Sequence, residues 1–343
     1  MKKVLIAMSG GVDSAVTAYL MKQKGYECVG ATMVLFEKEG SNDVSDAKAV
    51  AERVGIEHYA VDFSKDFKAK VMDTFVESYE KGETPNPCLE CNRYLKFGAL
   101  IDYAKSLGCD KIATGHYAKV EKAGERYLLK KAEDPGKDQS YFLYSLTQEQ
   151  LAFSEFPLGE MTKEQAREIA LENGFVNAKR ADSQDICFVP DGEYVSVIEK
   201  LSGKTYPCGE FVDTHGNVLG THKGIIRYTV GQRKGLGLAL PQPMYVKEKN
   251  VEENRVILSL NEELFEKELV AEDFNWIAYN PPEEPVEVTA KIRCRHKEAS
   301  ATAEVLADGK VKVTFDEPQR AIAKGQAVVL YEGDVVVGGG KII

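Results

Sequence analysis

No apolar run in this chain approaches the roughly 20 residues that a helix needs to cross a bilayer, although 43% of its 343 residues are hydrophobic. The first residues already form a strand-like run, so we expect a cytoplasmic protein with neither a leader nor a membrane anchor. The formal net charge of −10 argues against an extended nucleic-acid-binding surface. A local basic face would still allow contact with phosphate groups.

Zinc-ligand spacing is also missing. The seven cysteines include one Cys-x-x-Cys pair, at Cys88 and Cys91, but no second pair and no closely spaced histidine pair. In the reducing cytoplasm, cysteines are more typical of reactive, metal-binding or buried thiols than of a disulfide framework. Cys28 and Cys109 lie in or beside apolar runs, so we assign them to the core.

Two familiar phosphate-binding motifs, G-x-x-x-x-G-K-S/T and G-x-G-x-x-G, do not occur. Between the apolar run 4–8 and a helix-like segment stands instead Ser9-Gly10-Gly11-Val12-Asp13-Ser14. Glycines at such a turn let successive amides converge on an anion, and the helix adds its positive N-terminal end. The two serines would add hydroxyl donors, and Asp13 would hold Mg²⁺. The segment resembles SGGxDS, the signature of the PP-loop ATP pyrophosphatases, and this resemblance implies cleavage of ATP between its α- and β-phosphates.

Strand-like and helix-like runs alternate through the first half, which is typical of a parallel α/β sheet. The expected strands are 4–8, 28–34, 59–63 and 111–114, and the expected helices are 15–24, 45–54, 67–79 and 97–107. Ligands of such sheets bind at the carboxyl ends of the strands. The SGGVDS turn and Thr114-Gly115-His116 both follow expected strands, so we predict an ATP site between them.

From Thr205 onward, short alternating strands and turn residues replace the helices. We therefore predict a Rossmann-like α/β domain that carries the glycine loop at 1–202, a small β-rich module at 203–268 and a C-terminal β-barrel at 269–343. Barrel strands are expected at 286–293, 301–306, 310–315 and 327–331. On a strand, one face would carry a row of cations that suits an RNA backbone, formed by Lys291, Arg293, Arg295 and Lys297.

The second chemical signal is Thr84-Pro85-Asn86-Pro87-Cys88-Leu89-Glu90-Cys91-Asn92, in which two prolines precede the cysteine pair. A third cysteine, Cys187, lies in the polar stretch 182–188. We expect both segments to be loops outside the core, where a thiol acts as a nucleophile, a persulfide carrier or a metal ligand. Four interpretations of these three cysteines stay open: a structural zinc site, buried thiols, a persulfide relay, or a 4Fe–4S cluster with one open iron.

Seven ordered segments together resemble the tRNA-specific 2-thiouridylase (MnmA) family: SGGVDS, TPNP-x-x-x-CN, TGHYA, KDQSYFL, SQDICF, YTVGQRKGLG and GQAVVLY-x-GD-x-V-x-GGG. They run from Ala7 to Gly340, nearly the whole chain. The resemblance implies ATP-dependent conversion of the wobble uridine of Lys-, Glu- and Gln-type tRNAs to 2-thiouridine, with release of AMP and pyrophosphate. It implies that residues 1–202 are a PP-loop (HUP-like) catalytic domain and that the C-terminal barrel at 269–343 binds tRNA. It also implies two partners, tRNA and a sulfur donor, which is a cysteine desulfurase or a relay protein.

The resemblance also assigns roles to individual residues. Contacts with ATP are implied for Ala7, Met8, Ser9, Gly10, Gly11, Val12, Asp13, Ser14, Met33 and Gly115. Cys91 matches the nucleophilic cysteine, and Cys187 matches the persulfide carrier. A target-base pocket is implied at Asn86, Pro87 and Cys88, and contacts with tRNA at His116, Lys137, Asp138, Gln139, Arg293, Cys294 and Gln326.

Two positions depart from the family pattern. Cys88 stands where the family usually has aspartate, and Cys294 stands where an aromatic residue is usual, for which a surface strand position is the simple explanation. Cys88 adds a third thiolate beside Cys91, so the resemblance favours a cluster on Cys88, Cys91 and Cys187 about as much as a persulfide relay. The competing functions are a PP-loop amide ligase, such as the GMP and NAD synthetases, and a non-catalytic tRNA-binding protein.

Overall fold

This computed structural model describes residues 1–36, 42–180 and 185–343. Its strands, numbered along the chain, are β1 (Lys3–Ala7), β2 (Glu27–Val34), β3 (Glu57–Asp62), β4 (Lys111–Ala113), β5 (Lys119–Ala123), β6 (Arg126–Lys130), β7 (Ser154–Glu155), β8 (Gly209–Asp213), β9 (Val218–His222), β10 (Tyr245–Asn250), β11 (Arg255–Ser259), β12 (Phe265–Trp276), β13 (Val286–Lys291), β14 (Ala299–Val305), β15 (Val311–Arg320), β16 (Ala327–Glu332) and β17 (Val335–Ile342).

The α-helices are α1 (Val12–Gln23), α2 (Asp43–Val54), α3 (Ser64–Phe67), α4 (Asp73–Glu80), α5 (Pro87–Glu90), α6 (Leu100–Ser106), α7 (Gln148–Phe153), α8 (Lys163–Glu172) and α9 (Tyr194–Ser202). π-Helical stretches at Lys68–Met72 and Cys91–Ala99 join α3 to α4 and α5 to α6. Short 3-10 turns lie at Ser140–Leu143, Pro190–Gly192, Ile225–Arg227 and Asn261–Leu264. Within the described ranges, no helix is long and apolar enough to cross a membrane.

A parallel sheet forms the centre of the first half, in the order β3-β2-β1-β4-β7. All its pairings are parallel, as the alternation of strands and helices predicts. Val4 and Ile6 pack in one hydrophobic cluster with Met21 of α1, whereas Leu5 packs in another with Leu100 of α6. Helices therefore cover both faces of the sheet, which is the usual environment of parallel strands.

The second sheet, in the order β10-β11-β8-β9, packs its apolar residues against the first domain. Phe211, Val246 and Leu258 are buried in the same cluster as Phe75 of α4 and the cysteine Cys91. β8 and β11 pair in parallel, and the outer pairs are antiparallel. This module therefore packs beside the segment that carries the cysteine pair.

In the described part of the chain, six antiparallel strands close into a barrel in the order β12-β15-β14-β13-β16-β17, because β17 pairs back with β12. Val313, Phe315 and Val337 belong to its core. The hairpin β5–β6, which comes from the first half of the chain, extends this sheet through the pair Val335 and Lys130. The predicted architecture, a parallel-sheet domain followed by β modules that end in a barrel, is confirmed.

The predicted domain ranges stay predictions at their edges. β12 begins at Phe265 and runs to Trp276, so one continuous strand crosses the expected boundary between 268 and 269. The amino-acid composition does not change along such a continuous strand. The sequence alone therefore does not show where β12 begins relative to the expected boundary.

The expectation that four cations form a row on one face of a strand is wrong. β13 ends at Lys291, and residues 292–295 form bends and a turn. The last pair between β13 and β16 joins Lys291 to Val329, so the strand alternation stops before Arg293. Arg295 and Lys297 therefore do not continue the face on which Lys291 lies.

Candidate active site

The glycine loop lies between β1 and α1, at the end of the central strand of the sheet. Gly10 has a φ angle of 75°, and a Cβ there would lie 2.5 Å from the carbonyl oxygen of Asp43. Glycine is therefore required on both conformational and steric grounds. Gly11 is the N-cap of α1, and no side chain among the described residues caps that helix end. The first amides of α1 are thus available to an anion.

Two serines brace this loop. The Ser14 hydroxyl donates to the carbonyl of Gly11 (2.9 Å) and accepts from the backbone amide of Ser9 (3.2 Å). From the loop after β4, Gly115 packs so closely that a Cβ would lie 2.9 Å from the Cβ of Asp13. The structure therefore brings together the two segments that the sequence placed after the first and fourth expected strands, which are neighbours in the sheet.

The other expected ATP contacts surround the loop. Ala7 ends β1 opposite Ala31 of β2, and the amide of Met8 donates to the Ala31 carbonyl (2.8 Å). Met33 lies near the carboxyl end of β2 and is half-buried. The side chains of Met8 and Val12 are buried in the core, so a ligand would meet mainly their backbone.

Asp13, the expected Mg²⁺ ligand, already has two partners. Lys163 donates to both carboxylate oxygens (2.7 and 2.8 Å), and the Tyr117 hydroxyl donates to Oδ1 (2.9 Å). Mg²⁺ is commonly held by one or two carboxylates together with substrate phosphates, so Asp13 fits such an ion if it shares its oxygens with Lys163. The sequence analysis missed Lys163, which carried no signal beyond a helix start and whose partner is 150 residues away.

The segment after α8 also reaches the glycine loop. Asn177 (2.8 Å) and Arg180 (3.3 Å) both donate to the carbonyl of Gly10. Arg180 also forms ion pairs with Asp43 (2.5 Å) and Asp46 (3.4 Å) of α2. These contacts satisfy the Gly10 carbonyl and hold α2, the loop and the 177–180 segment together. The sequence analysis missed both residues.

Cys88 and Cys91 lie on a helix, whereas we expected a loop. Asn86 caps α5 by accepting from the amide of Cys88 (3.2 Å), and Pro87 occupies the first helical position, which is a common helix start. Cys91 begins the π-helical stretch and is only 9% exposed, in a cluster with Leu95. The expectation that both cysteines lie outside the core is thus wrong for Cys91, whereas Cys88 is exposed.

The three thiols lie within electrostatic reach of one another. Burial raises the pKa of Cys187 to about 12, and the charges of Cys91 and Cys88 add to this shift. Burial likewise raises the pKa values of Cys88 and Cys91. Cys88 and Cys187 keep accessible surface, yet enough protein surrounds them to disfavour their thiolates. At neutral pH the three groups are therefore protonated in this state.

Lys96 is a cation that the sequence analysis missed. Its charge lowers the pKa values of Cys88, Cys91 and Cys187 against the larger effect of burial. Cys91 and Lys96 stand at positions i and i+5 of the π-helical stretch Cys91–Ala99, whose hydrogen-bond spacing puts such positions on one side. π-Helical turns often occur at functional sites, but the sequence carries no distinct mark of one.

The described arrangement does not present the ligand set of a cluster. Among residues 1–36, 42–180 and 185–343, no group of three or more Cys, His, Asp or Glu side chains converges to hold a metal ion. Cys88, Cys91 and Cys187 would have to move together and lose their protons to ligate iron. Residues 181–184, which include the first two residues of the SQDICF segment, lie outside the described residues.

The barrel contributes directly to the segment before Cys88. Gln326 donates its side-chain amide to the carbonyl of Thr84 (2.7 Å), and the Thr84 amide donates to the carbonyl of Lys324 (2.8 Å). Arg293 is half-buried and donates to the carbonyls of Val230 (3.2 Å) and Ala321 (3.1 Å). Two of the residues expected at tRNA therefore make contacts within the protein.

Two of the remaining residues expected at tRNA, His116 and Gln139, lie at the loop after β4. His116 is buried and shares a hydrogen bond of 2.7 Å with Thr114, and burial holds its pKa well below the ordinary value. Gln139 accepts from the amide of Tyr117 (3.0 Å). The other three are half-buried: Lys137, Asp138 and Cys294. Cys294 lies in the turn after β13, so the simple explanation of a surface strand position is wrong.

Cavities flank the cysteine helix. One of about 540 Å³ is lined by residues that include Lys70 and Arg93, but none of the expected site residues lines it, so we assign it no part in the chemistry. Another of about 50 Å³ is lined in part by Asn86, Pro87 and Gln326. That volume suits water and not a nucleobase, so an incoming base would have to open this space.

Family profiles match most of the chain. A profile described as the tRNA methyl transferase HUP domain matches residues 2–191. Profiles described as the tRNA methyl transferase PRC-barrel domain and the aminomethyltransferase beta-barrel domain match residues 197–260 and 266–342. Along the chain, the three matches cover in turn the parallel-sheet domain, the module of the second sheet and the strands of the closed barrel.

Curated relatives align with the whole chain. The tRNA-specific 2-thiouridylase MnmA of Clostridioides difficile is 50% identical over an aligned length of 353 positions. The alignment covers 99% of this chain and 98% of the relative. The MnmA of Lachnoclostridium phytofermentans is 48% identical over an aligned length of 356 positions, and the alignment covers 100% of both chains. The profile descriptions mention methyl transfer, but these full-length relatives are named for thiolation. This chain belongs to the tRNA-specific 2-thiouridylase MnmA family.

Proposed function

We propose that this protein is an ATP-dependent tRNA-uridine 2-sulfurtransferase, which converts the wobble uridine of Lys-, Glu- and Gln-type tRNAs to 2-thiouridine. The observation that carries the proposal is the presence of two sites in one chain. An anion-binding loop stands at the end of β1, and three mutually interacting thiols stand on and beside the helix that starts at Pro87. Full-length relatives named as 2-thiouridylases support it.

ATP is the nucleotide of the proposed site, bound by the backbone amides of residues 10–14, with Met33 and Gly115 beside the loop. Mg²⁺, held by Asp13 and the phosphates, would offset the negative charge of the polyphosphate. The protein itself orients the α-phosphate toward the RNA base. The backbone amides that Gly10, Gly11 and Ser14 hold in place can do this because they need no reorganisation when the ligand binds.

The chemistry explains the need for ATP. The oxygen on C2 of uracil is a poor leaving group, so it first attacks the α-phosphate and pyrophosphate leaves. The adenylated C2 then loses AMP when the outer sulfur of a Cys187 persulfide attacks it. Cys91 next attacks the Cys187 sulfur, which forms a Cys91–Cys187 disulfide and leaves 2-thiouridine on the tRNA. An external dithiol reduces the disulfide for the next turnover.

The placement of the thiols supports this division of labour. Cys187 is exposed and so is accessible to a sulfur donor such as a cysteine desulfurase or a relay protein. Cys91 is buried and protected from solvent until it resolves the intermediate. Because burial raises the pKa values of both thiols, their activation depends on positive charge, to which Lys96 contributes.

We propose the persulfide relay in preference to a 4Fe–4S cluster, because the described residues present no converged group of metal ligands. Cys88 is then an accessory thiol beside Cys91 and the target base. The alternative amide ligase would require neither the cysteine trio nor the barrel contacts at Thr84.

The experiment measures tRNA-dependent exchange of pyrophosphate into ATP and formation of 2-thiouridine by protein purified without oxygen, alongside iron and acid-labile sulfide. We expect exchange and thiolation by iron-free protein, retained thiolation in Cys88→Ala, and none in Cys187→Ser. Cys208→Ser, which removes an exposed thiol of another module, is the matched control.

About four irons per chain, with iron and thiolation both lost in Cys88→Ala, would favour the cluster. Exchange of pyrophosphate into ATP that does not depend on tRNA would favour an amide ligase.

A further inference from the structure

A buried lysine stands beside the phosphate loop without an assigned role. Lys163 is the first residue of α8, and only 4% of it is exposed. Lysine is almost never buried unless it is paired, and fixing its long side chain costs rotamer entropy. Its ammonium group lies 2.7 and 2.8 Å from the two carboxylate oxygens of Asp13.

The helix that carries Lys163 is held firmly at this position. Thr162 caps α8 in a capping box with Gln165, and the Lys163 amide donates to the carboxylate of Asp134 (3.1 Å). Ala166 of α8 is buried in the same cluster as Val16 of α1. The Lys163 side chain therefore starts from a fixed backbone next to the helix that begins in the phosphate loop.

The charge of Asp13 makes a nearby cation necessary. Asp13 lies in the first turn of α1, where a bound polyphosphate would meet a carboxylate of the same sign. Two like charges this close together repel each other more strongly at a protein surface than they would in bulk water. Lys163 removes that repulsion, and a compact ammonium is a common phosphate-binding group.

We propose that Lys163 is a phosphate-binding cation of this site, held by Asp13 and Tyr117, and that it contacts the β- and γ-phosphates of ATP. Asp13 then acts on the nucleotide partly through Lys163, as a positioning residue, in addition to any Mg²⁺ that it holds. The inference rests on the proposed function in one respect, namely that ATP is the ligand of the loop.

The test titrates the purified full-length protein with ATP, inorganic pyrophosphate and AMP, and measures affinity by calorimetry. AMP lacks the phosphates that Lys163 would contact. Lys163→Met should therefore weaken ATP and pyrophosphate binding by about 10- to 100-fold, the effect of one hydrogen bond to a charged group, and leave AMP binding unchanged. Lys179→Met, at an exposed lysine of the stretch that follows α8, should change none of the three.

A double variant separates phosphate contact from simple neutralisation of Asp13, and it also removes the risk that an unpaired Asp13 prevents folding. If Lys163 contacts phosphate, Asp13→Asn with Lys163→Met should bind ATP at least about tenfold more weakly than Asp13→Asn alone. Equal affinities of these two variants would overturn the inference, as would equal losses for ATP and AMP in Lys163→Met. Failure of the unaltered protein to bind ATP would instead refute the proposed function.

Discussion

The phosphate loop and the thiol region lie in the same domain but differ in how they are built. The loop is made of backbone: Gly10 holds a left-handed conformation, and the hydroxyl of Ser14 braces the turn. The thiol region is made of side chains, whose pKa values burial raises and one lysine lowers. The loop is therefore ready to bind an anion, whereas the thiols require a further change before they react.

This difference predicts that the two halves of the reaction can be separated. Cys187→Ser and Cys91→Ser should each reduce 2-thiouridine formation by at least about a thousandfold, as loss of a nucleophile does, because no sulfur is carried or released. Both should retain tRNA-dependent pyrophosphate exchange, since the phosphate loop is untouched. Loss of exchange in either variant would show that the two regions act as one unit.

Gly10→Ala should distort the phosphate loop and weaken ATP binding, and it should leave the thiols unchanged. The added Cβ would lie 2.5 Å from the Asp43 carbonyl, at a φ of 75°, and strain of about 1–3 kcal/mol should weaken ATP binding by about 10- to 100-fold. Gly25→Ala is the control, because Gly25 has a φ of 81° with nothing within 4 Å of the added Cβ. Calorimetric titration with ATP measures both. Equal effects of the two substitutions would mean that contact with Asp43 is unimportant.

Lys96→Met should act on the thiols and spare the loop. Removal of the cation raises the pKa values of Cys88, Cys91 and Cys187 further, so a smaller fraction is thiolate at any pH below them. The rise of single-turnover thiolation with pH should therefore move to higher pH, and the rate at neutral pH should fall by up to about tenfold if the reacting thiol's pKa rises by about one. Lys105→Met, an exposed lysine paired with Glu149, should leave the profile in place.

Gln326→Ala should have the smallest effect. It removes the hydrogen bond from the barrel to the carbonyl of Thr84, which should cost about 1 kcal/mol of stability and raise the KM for tRNA a few-fold without changing ATP affinity. Gln319→Ala, which removes a contact with the neighbouring Glu317 carbonyl, is the control. Unfolding by urea and steady-state thiolation measure the two effects. An unchanged KM would limit Gln326 to a structural role.

The sequence predicted the features that depend on local pattern. The parallel sheet, the glycine loop and the pairing of Gly115 with that loop follow from alternation and turn chemistry, and Cys28 and Cys109 are buried as expected. Residues such as Lys163 and Arg180 could not be found, because their partners are far away along the chain. Cys91 was misplaced because a proline-rich segment can start a helix as well as form a loop.

The most direct test of the central claim is a single turnover in which protein carrying a persulfide on Cys187 is mixed with unmodified tRNA and ATP, and the products are measured by mass spectrometry. The account predicts equal amounts of 2-thiouridine, AMP and pyrophosphate, together with a Cys91–Cys187 disulfide in the protein. Thiolation of tRNA with Cys91 and Cys187 still reduced would contradict the relay.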